Sequence, residues 1–159
     1  MGHGRIYTSV FQAVAVTAAQ DLLSLLATST APLELIYASI SQSSDAGDAQ
    51  DELLRIRIRR GMTTVGSGGS APAMSPTNPR ETLAAASATC RANDTTAASA
   101  GTIVEMLEET WNVRSGPWIY FPAPEARIHC DISTRVAINL PAAPADSLTM
   151  SGTIIWREL

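Results

Sequence analysis

In ELLRIRIRRG, residues 52–61, Leu54, Ile56 and Ile58 point one way and Arg55, Arg57 and Arg59 the other. A period of two marks a strand with one dry face and one wet face. The same period returns in STRVAINLP, where Val136, Ile138 and Leu140 alternate against Arg135 and Asn139. It returns again in SLTMSGTIIWREL: Leu148, Met150, Ile154 and Trp156 share one face, and Thr149, Ser151, Thr153 and Arg157 the other. RIYTSVFQAVAV, residues 5–16, is rich in β-branched and aromatic types and reads as a first strand. PLELIYASISQ opens with Pro32 and runs extended to Gln42.

Other stretches carry a mixed pattern. AAQDLLSLLA, 18–27, suits a short helix or a second strand. In TIVEMLEETWNV, 102–113, Ile103, Met106, Leu107 and Thr110 have helical spacing, while Ile103, Leu107, Trp111 and Val113 form an alternate row. A strand is expected there, because Gly101 and Gly116 bracket it and strands lie on either side. WIYFP then runs into Pro122 and Pro124. ETLAAASATCRAND is expected to start helically at Thr82 and to finish as a strand near Cys90. SSDAGDAQD, 43–51, reads as a polar turn, and residues 61–80 as a long, flexible Gly/Ser/Pro loop. About eight strands at short intervals describe an all-β fold, a β-sandwich or jelly roll. One such domain is expected over 5–159, with residues 1–10 as an N-terminal arm leading into the first strand; no internal repeat is visible.

Composition narrows the function classes. The chain of 159 residues is long enough for one sizeable core. Charged residues make up 16%, well below the ~25% usual in soluble domains. A surface of small neutral residues suits close packing against other protein. All eleven basic residues are arginine. The net charge of −4 speaks against a general nucleic-acid binder. No apolar run approaches the ~18 residues of a membrane span, and MGHGRIYTSV lacks the features of a signal peptide, so synthesis in a cytoplasm is expected. Cys90 and Cys130 form no CxxC pair and read as buried thiols.

Candidate chemistry is sparse. His129 and Cys130 are adjacent, which on a strand turns them to opposite sides: one inward thiol, one surface imidazole. Asp45, Asp48, Asp51 and Glu52 crowd one turn without the spacing of a calcium loop. Glu105, Glu108 and Glu109 are a conceivable acid and base, and the default reading is strand-exposed charge. GSGGS, 66–70, lacks the Lys-Ser/Thr ending of a phosphate loop. Trp111, Trp118, Tyr120 and Phe121 read first as core and second as a carbohydrate platform. No catalytic residue, cofactor or metal is expected, and the chain is read as a binding protein.

The stretches GRIYTSVFQAVAVTAAQDLL, SISQSSDAGDAQDELLRIRIRRG, TTVGSGGSAP and PADSLTMSGTIIWREL resemble, in this order, a family of small structural proteins of tailed bacteriophages and prophages. The resemblance implies a head cement, or decoration, protein on the outside of the capsid shell. It implies the major capsid protein as partner, self-association as a dimer or trimer, and no nucleic acid or membrane. An alternative is a tail or receptor-binding β module. On the cement reading three groups are expected to make the contacts. Arg5 and Tyr7 lie in the arm, Arg55, Arg57 and Arg59 form the outward row, and Gly66, Gly68 and Gly69 belong to a loop that orders on docking.

Overall fold

The computed structural model describes residues 5–44, 52–79 and 85–159. The acidic turn at Asp45, Asp48 and Asp51, His3 and the helical start at Thr82 lie outside the described residues.

The described residues form eleven strands: β1 (Ile6–Val16), β2 (Gln20–Leu26), β3 (Leu33–Gln42), β4 (Leu53–Thr64), β5 (Met74–Pro76), β6 (Thr89–Asp94), β7 (Ser99–Asn112), β8 (Trp118–Tyr120), β9 (Ile128–Cys130), β10 (Arg135–Leu140) and β11 (Leu148–Glu158). They form two antiparallel sheets packed face to face. The first has the order β5-β1-β11-β3-β8, with β9 also paired to β3; the second has the order β6-β2-β10-β4-β7. Consecutive strands β1 and β2, β3 and β4, β7 and β8, and β10 and β11 fall in opposite sheets, so the chain repeatedly crosses the core.

Alternation decides what fills that core. Tyr7, Leu35, Ile40, Met150, Ile154 and Trp156 come inward from the first sheet. Leu23, Leu25, Ile56, Ile58, Val136 and Ile138 meet them from the second. Each such side chain contributes ~1.5–3 kcal/mol when fully buried. Tyr7 lies stacked on Trp156, ring centres 5.8 Å apart.

The all-β sandwich is as the periodicity predicts, and several local expectations are corrected. Strands number eleven rather than about eight, because β5 and β9 are three residues each, too short to show a period. Residues 18–27 hold the strand β2 and no helix. Its alternation is hidden because Asp21 and Ser24, on its outer face, are buried as well. The segment 61–80 is not one flexible loop. Gly61–Thr64 continue β4, and Met74–Pro76 pair with Tyr7–Ser9 of β1. Between them Ser67 bridges to Thr96 and Ser70 to Ala92. Of the expected arm, residues 6–10 are already β1, held between β5 and β11. Among the described residues no helix is long and apolar enough to cross a membrane.

Candidate interaction surface

The outer face of the second sheet carries the arginine row, and each of its three arginines has an acidic partner within the chain. Arg55, exposed, pairs with Glu108 of β7 at 3.1 Å. Arg57 is half-buried; its Nη1 lies 3.3 Å from Glu105, and its Nε–H donates to Asn139 Oδ1 at 2.7 Å. Arg59 is buried. Its Nη2 donates to Asp21 Oδ1 at 3.1 Å and to the carbonyl of Ala98 at 3.0 Å. Asp21 also accepts from Asn139 Nδ2 at 2.7 Å and from the Ala98 amide at 2.7 Å. The β6–β7 connection is thereby stapled over the sheet. Exposure falls along the expected contact row: Arg55 is exposed, Arg57 is half-buried, and Arg59 is covered by the chain itself at Ala98.

The glycines of the loop are likewise packed against the chain itself. Gly66 packs against Asp94 and Thr96, with room for no Cβ. Gly68 has a φ of +91°, and a Cβ on Gly69 would lie 2.0 Å from the carbonyl oxygen of Ala92. The Gly69 amide donates to Asp94 Oδ1 at 3.1 Å. Glycine is required here so that the loop can lie against β6. Tyr7 is buried and offers no contact surface. Arg5 is exposed, and its carbonyl accepts from the Glu158 amide at 3.0 Å.

The outer face of the first sheet has a different chemistry. Thr8, Val10 and Gln12 of β1 lie along it, beside Ser151, Thr153 and Ile155 of β11 and Tyr37, Ser39 and Ser41 of β3. Val10 pairs with Thr153, which pairs in turn with Ser39. Ile119 extends this face from β8, opposite Ser39. Next to it Phe121 is 71% exposed and meets Tyr37 edge to face at 6.1 Å. None of these residues is charged. A shallow depression of about 250 Å³, lined by Val10, Gln12, Ser39, Ser41 and Thr153, marks its centre. The Ala13 amide donates to Ser151 Oγ at 3.0 Å and closes one rim. Among the described residues charge appears at the far end, where buried Glu34 accepts from Arg157 Nε at 2.8 Å, with Arg127 at 3.5 Å and His129 Nε2 at 3.9 Å.

The candidates for chemistry are dispersed. Cys130 is buried and turned inward, its Sγ 3.3 Å from Thr134 Oγ1, while His129 is exposed on the other side. Burial pushes the Cys130 thiol up, and it pushes Cys90 up to about 11 against a hydrogen bond with Ser9. Both stay protonated at neutral pH, so neither acts as a thiolate nucleophile. Both are free thiols. Glu105 and Glu108 are paired with arginines, and Glu109 accepts from Trp118 Nε1 at 2.7 Å. Glu52 accepts from the Ala145 amide. A cleft of about 710 Å³ opens between the ends of β4 and β7 and strand β9, lined by Arg60, Thr102, Val104, His129 and Leu159. Arg60 Nη1 donates across it to the His129 carbonyl at 2.8 Å. Among the described residues no three His, Cys, Asp or Glu side chains come together as a metal site. The four aromatic residues divide: Trp111, Trp118 and Tyr120 are buried in the core, as the first reading expects, and Phe121 is exposed.

The uncharged face escaped the sequence reading. Its rows were visible singly, as Thr8 and Val10, Ser39 and Ser41, Ser151 and Thr153. What brings them together is the β1-β11-β3 register, which joins both ends of the chain.

The fold defines the protein as a two-sheet antiparallel β-sandwich. Comparison of the chain with protein-family models, curated proteins and solved structures returns no match.

Proposed function

We propose that the protein is a cement, or decoration, protein of a tailed-bacteriophage head, docking on major capsid protein subunits through the outer face of its first sheet. The observation that carries the reading is the absence of charge across Thr8, Val10, Tyr37, Ser39, Ser41, Ile119, Ser151, Thr153 and Ile155, in a protein whose opposite face is ionic. Interface cores are depleted in charge and enriched in aromatic residues. Desolvating a hydroxyl costs far less than desolvating an ion. A flat sheet face of this kind suits the ~800 Å² per partner of a standard interface. Repetition over a shell multiplies modest contacts.

The sequence resemblance to small phage structural proteins supports the same reading. So does the strand order. With β5, β6 and β9 set aside, β1-β11-β3-β8 face β2-β10-β4-β7, which we read as a jelly roll. Its place would be the capsid surface of the virion, after synthesis in the host cytoplasm.

The test is composition and placement. Purified particles should contain the chain in numbers proportional to the capsid protein, and heads lacking it should rupture at lower temperature. Particles without any copy would overturn the reading. A few copies confined to the tail, together with glycan binding at Phe121, would favour the tail-module alternative.

A further inference from the structure

Beside the Asp21 staple, the outer face of the second sheet buries another arginine. Arg135 opens β10 and is 6% exposed. It shares a side with Ala137 and Asn139, because Val136, Ile138 and Leu140 take the core side. Among the described residues neither its Nε nor its Nη1 has a hydrogen-bond partner, and both atoms are shielded from solvent. Arg59, on the same face, shows the ordinary solution: its Nη2 reaches a carboxylate and a carbonyl.

The neighbouring carboxylates are already committed. Asp21 takes Arg59 and Asn139 on one oxygen and the Ala98 amide on the other. Asp94 is gripped by Arg91 through both oxygens and by the Gly69 amide. Three guanidinium groups, those of Arg59, Arg91 and Arg135, thus share two buried carboxylates. Ser24 lies between Ala137 of β10 and Arg91 of β6, one step along the strand from the pairing of Arg135 with Leu26. Its hydroxyl is buried without a partner as well. Met62, Ala98 and Ala137 form a small apolar cluster alongside, which keeps water from screening the charge. Burial lowers the pKa of Arg135, and Arg91 lowers it further; an arginine nonetheless stays protonated at neutral pH.

A buried cation with no counter-charge is strongly unfavourable. Surplus positive charge, guanidinium N–H groups and a neighbouring hydroxyl together select an anion that accepts hydrogen bonds. The enclosure of Nε and Nη1 sets its size, which suits a halide better than a tetrahedral oxyanion or a peptide carboxylate.

We propose that Arg135 and Ser24 form a binding site for a small inorganic anion, chloride, on the outer face of the second sheet beside Arg91. Its role is structural: the ion does for Arg135 what Asp21 does for Arg59. The site takes no part in docking through the first sheet, so it stands or falls independently of that reading.

Thermal unfolding of the full chain in sodium chloride, sodium bromide and sodium methanesulfonate at equal ionic strength separates binding from screening. Chloride and bromide should raise the midpoint, and the bulkier methanesulfonate should not. Above the dissociation constant, each tenfold rise in halide multiplies the folding constant about tenfold. Arg135→Met removes the buried charge. Without halide it should be at least as stable as the native chain, and added halide should do no more for it than methanesulfonate does, so the two stability curves cross. Ser24→Ala should keep the fold and need at least ~3-fold more halide for the same midpoint, the worth of one hydrogen bond. In crystals grown from bromide, anomalous scattering should place an ion within hydrogen-bond reach of the Arg135 guanidinium. Equal rises in all three salts, an undiminished halide response in Arg135→Met, or bromide only at other positions would each overturn the proposal. The bromide position and Ser24→Ala decide the question even where Arg135→Met does not fold.

Discussion

On the outer face of the second sheet, Arg55, Arg57 and Arg59 meet Glu108, Glu105 and Asp21, and the face closes over itself at the Arg59 end. On the outer face of the first sheet the corresponding positions hold Ser, Thr, Val, Ile and Tyr, and among the described residues charge is confined to the Glu34 cluster at one end. Both faces belong to antiparallel sheets with the same core between them, so the difference lies in what each face is for. Ion pairs in the second sheet fix the chain's own connections in place. The first sheet leaves a surface that another protein can cover without stranding a charge.

The largest effect should come from breaking the staple. Asp21 accepts three hydrogen bonds, two from side chains and one from the Ala98 amide. Asp21→Ala leaves the Arg59 guanidinium buried with only a carbonyl partner, and removing one member of a buried pair costs ~3–5 kcal/mol. Urea unfolding measures it. Replacing both partners, Asp21→Ala with Arg59→Met, should recover the part of the loss due to the stranded guanidinium, while the Ala98 amide, left without its acceptor, keeps a cost of ~1–3 kcal/mol. A cost under ~1 kcal/mol for the single variant would mean that the second face is no more committed to folding than the first.

Arg59 also shows where sequence reasoning stops. The alternation in ELLRIRIRRG located a strand and its dry face, and it treated three arginines alike. Their exposure differs because the 95–98 connection lies over the Arg59 end of the sheet, a long-range fact that no period records. The same cover buries both faces of β2, which is why QDLLSLL carries a mixed pattern. Strands with one wet face, β4 and β11, were legible from spacing alone. Composition suggested a loop wherever Gly and Ser cluster, yet Gly68 and Gly69 are there to allow close approach to β6 rather than movement. The uncharged face needed the pairing of residue 8 with 155, and of 39 with 153, before three ordinary polar rows became one surface.

A smaller effect is expected where the loop covers β6. Gly69→Ala brings a Cβ to 2.0 Å from the Ala92 carbonyl oxygen, so the loop must lift. Local backbone strain of this sort costs ~1–3 kcal/mol. Hydrogen exchange should report it directly: the Ser67 and Ser70 amides, bonded to Thr96 and Ala92 at 2.9 Å, are expected to be protected in the native chain and to lose protection in the variant. Unprotected amides in the native chain would return the segment to a flexible loop and remove the cover from the second sheet.

The smallest effect on folding should be found at the centre of the uncharged face. Thr153 sits between Val10 and Ser39, part-exposed and outside the core. Thr153→Arg adds a long side chain that lies along the sheet and keeps its head in water, so stability should change by no more than ~0.5 kcal/mol. The consequence for association is the reverse. A docked face must strip water from the new guanidinium, and unless the other surface happens to offer a carboxylate the contact is lost. Particle-binding assays should therefore separate Thr153→Arg, folded and unbound, from Arg55→Ala, folded and bound. Equal binding by the two would make the faces interchangeable and locate the contact elsewhere. Loss of binding in Thr153→Arg alone fixes the orientation of the molecule: first sheet against the shell, ion-paired sheet toward solvent.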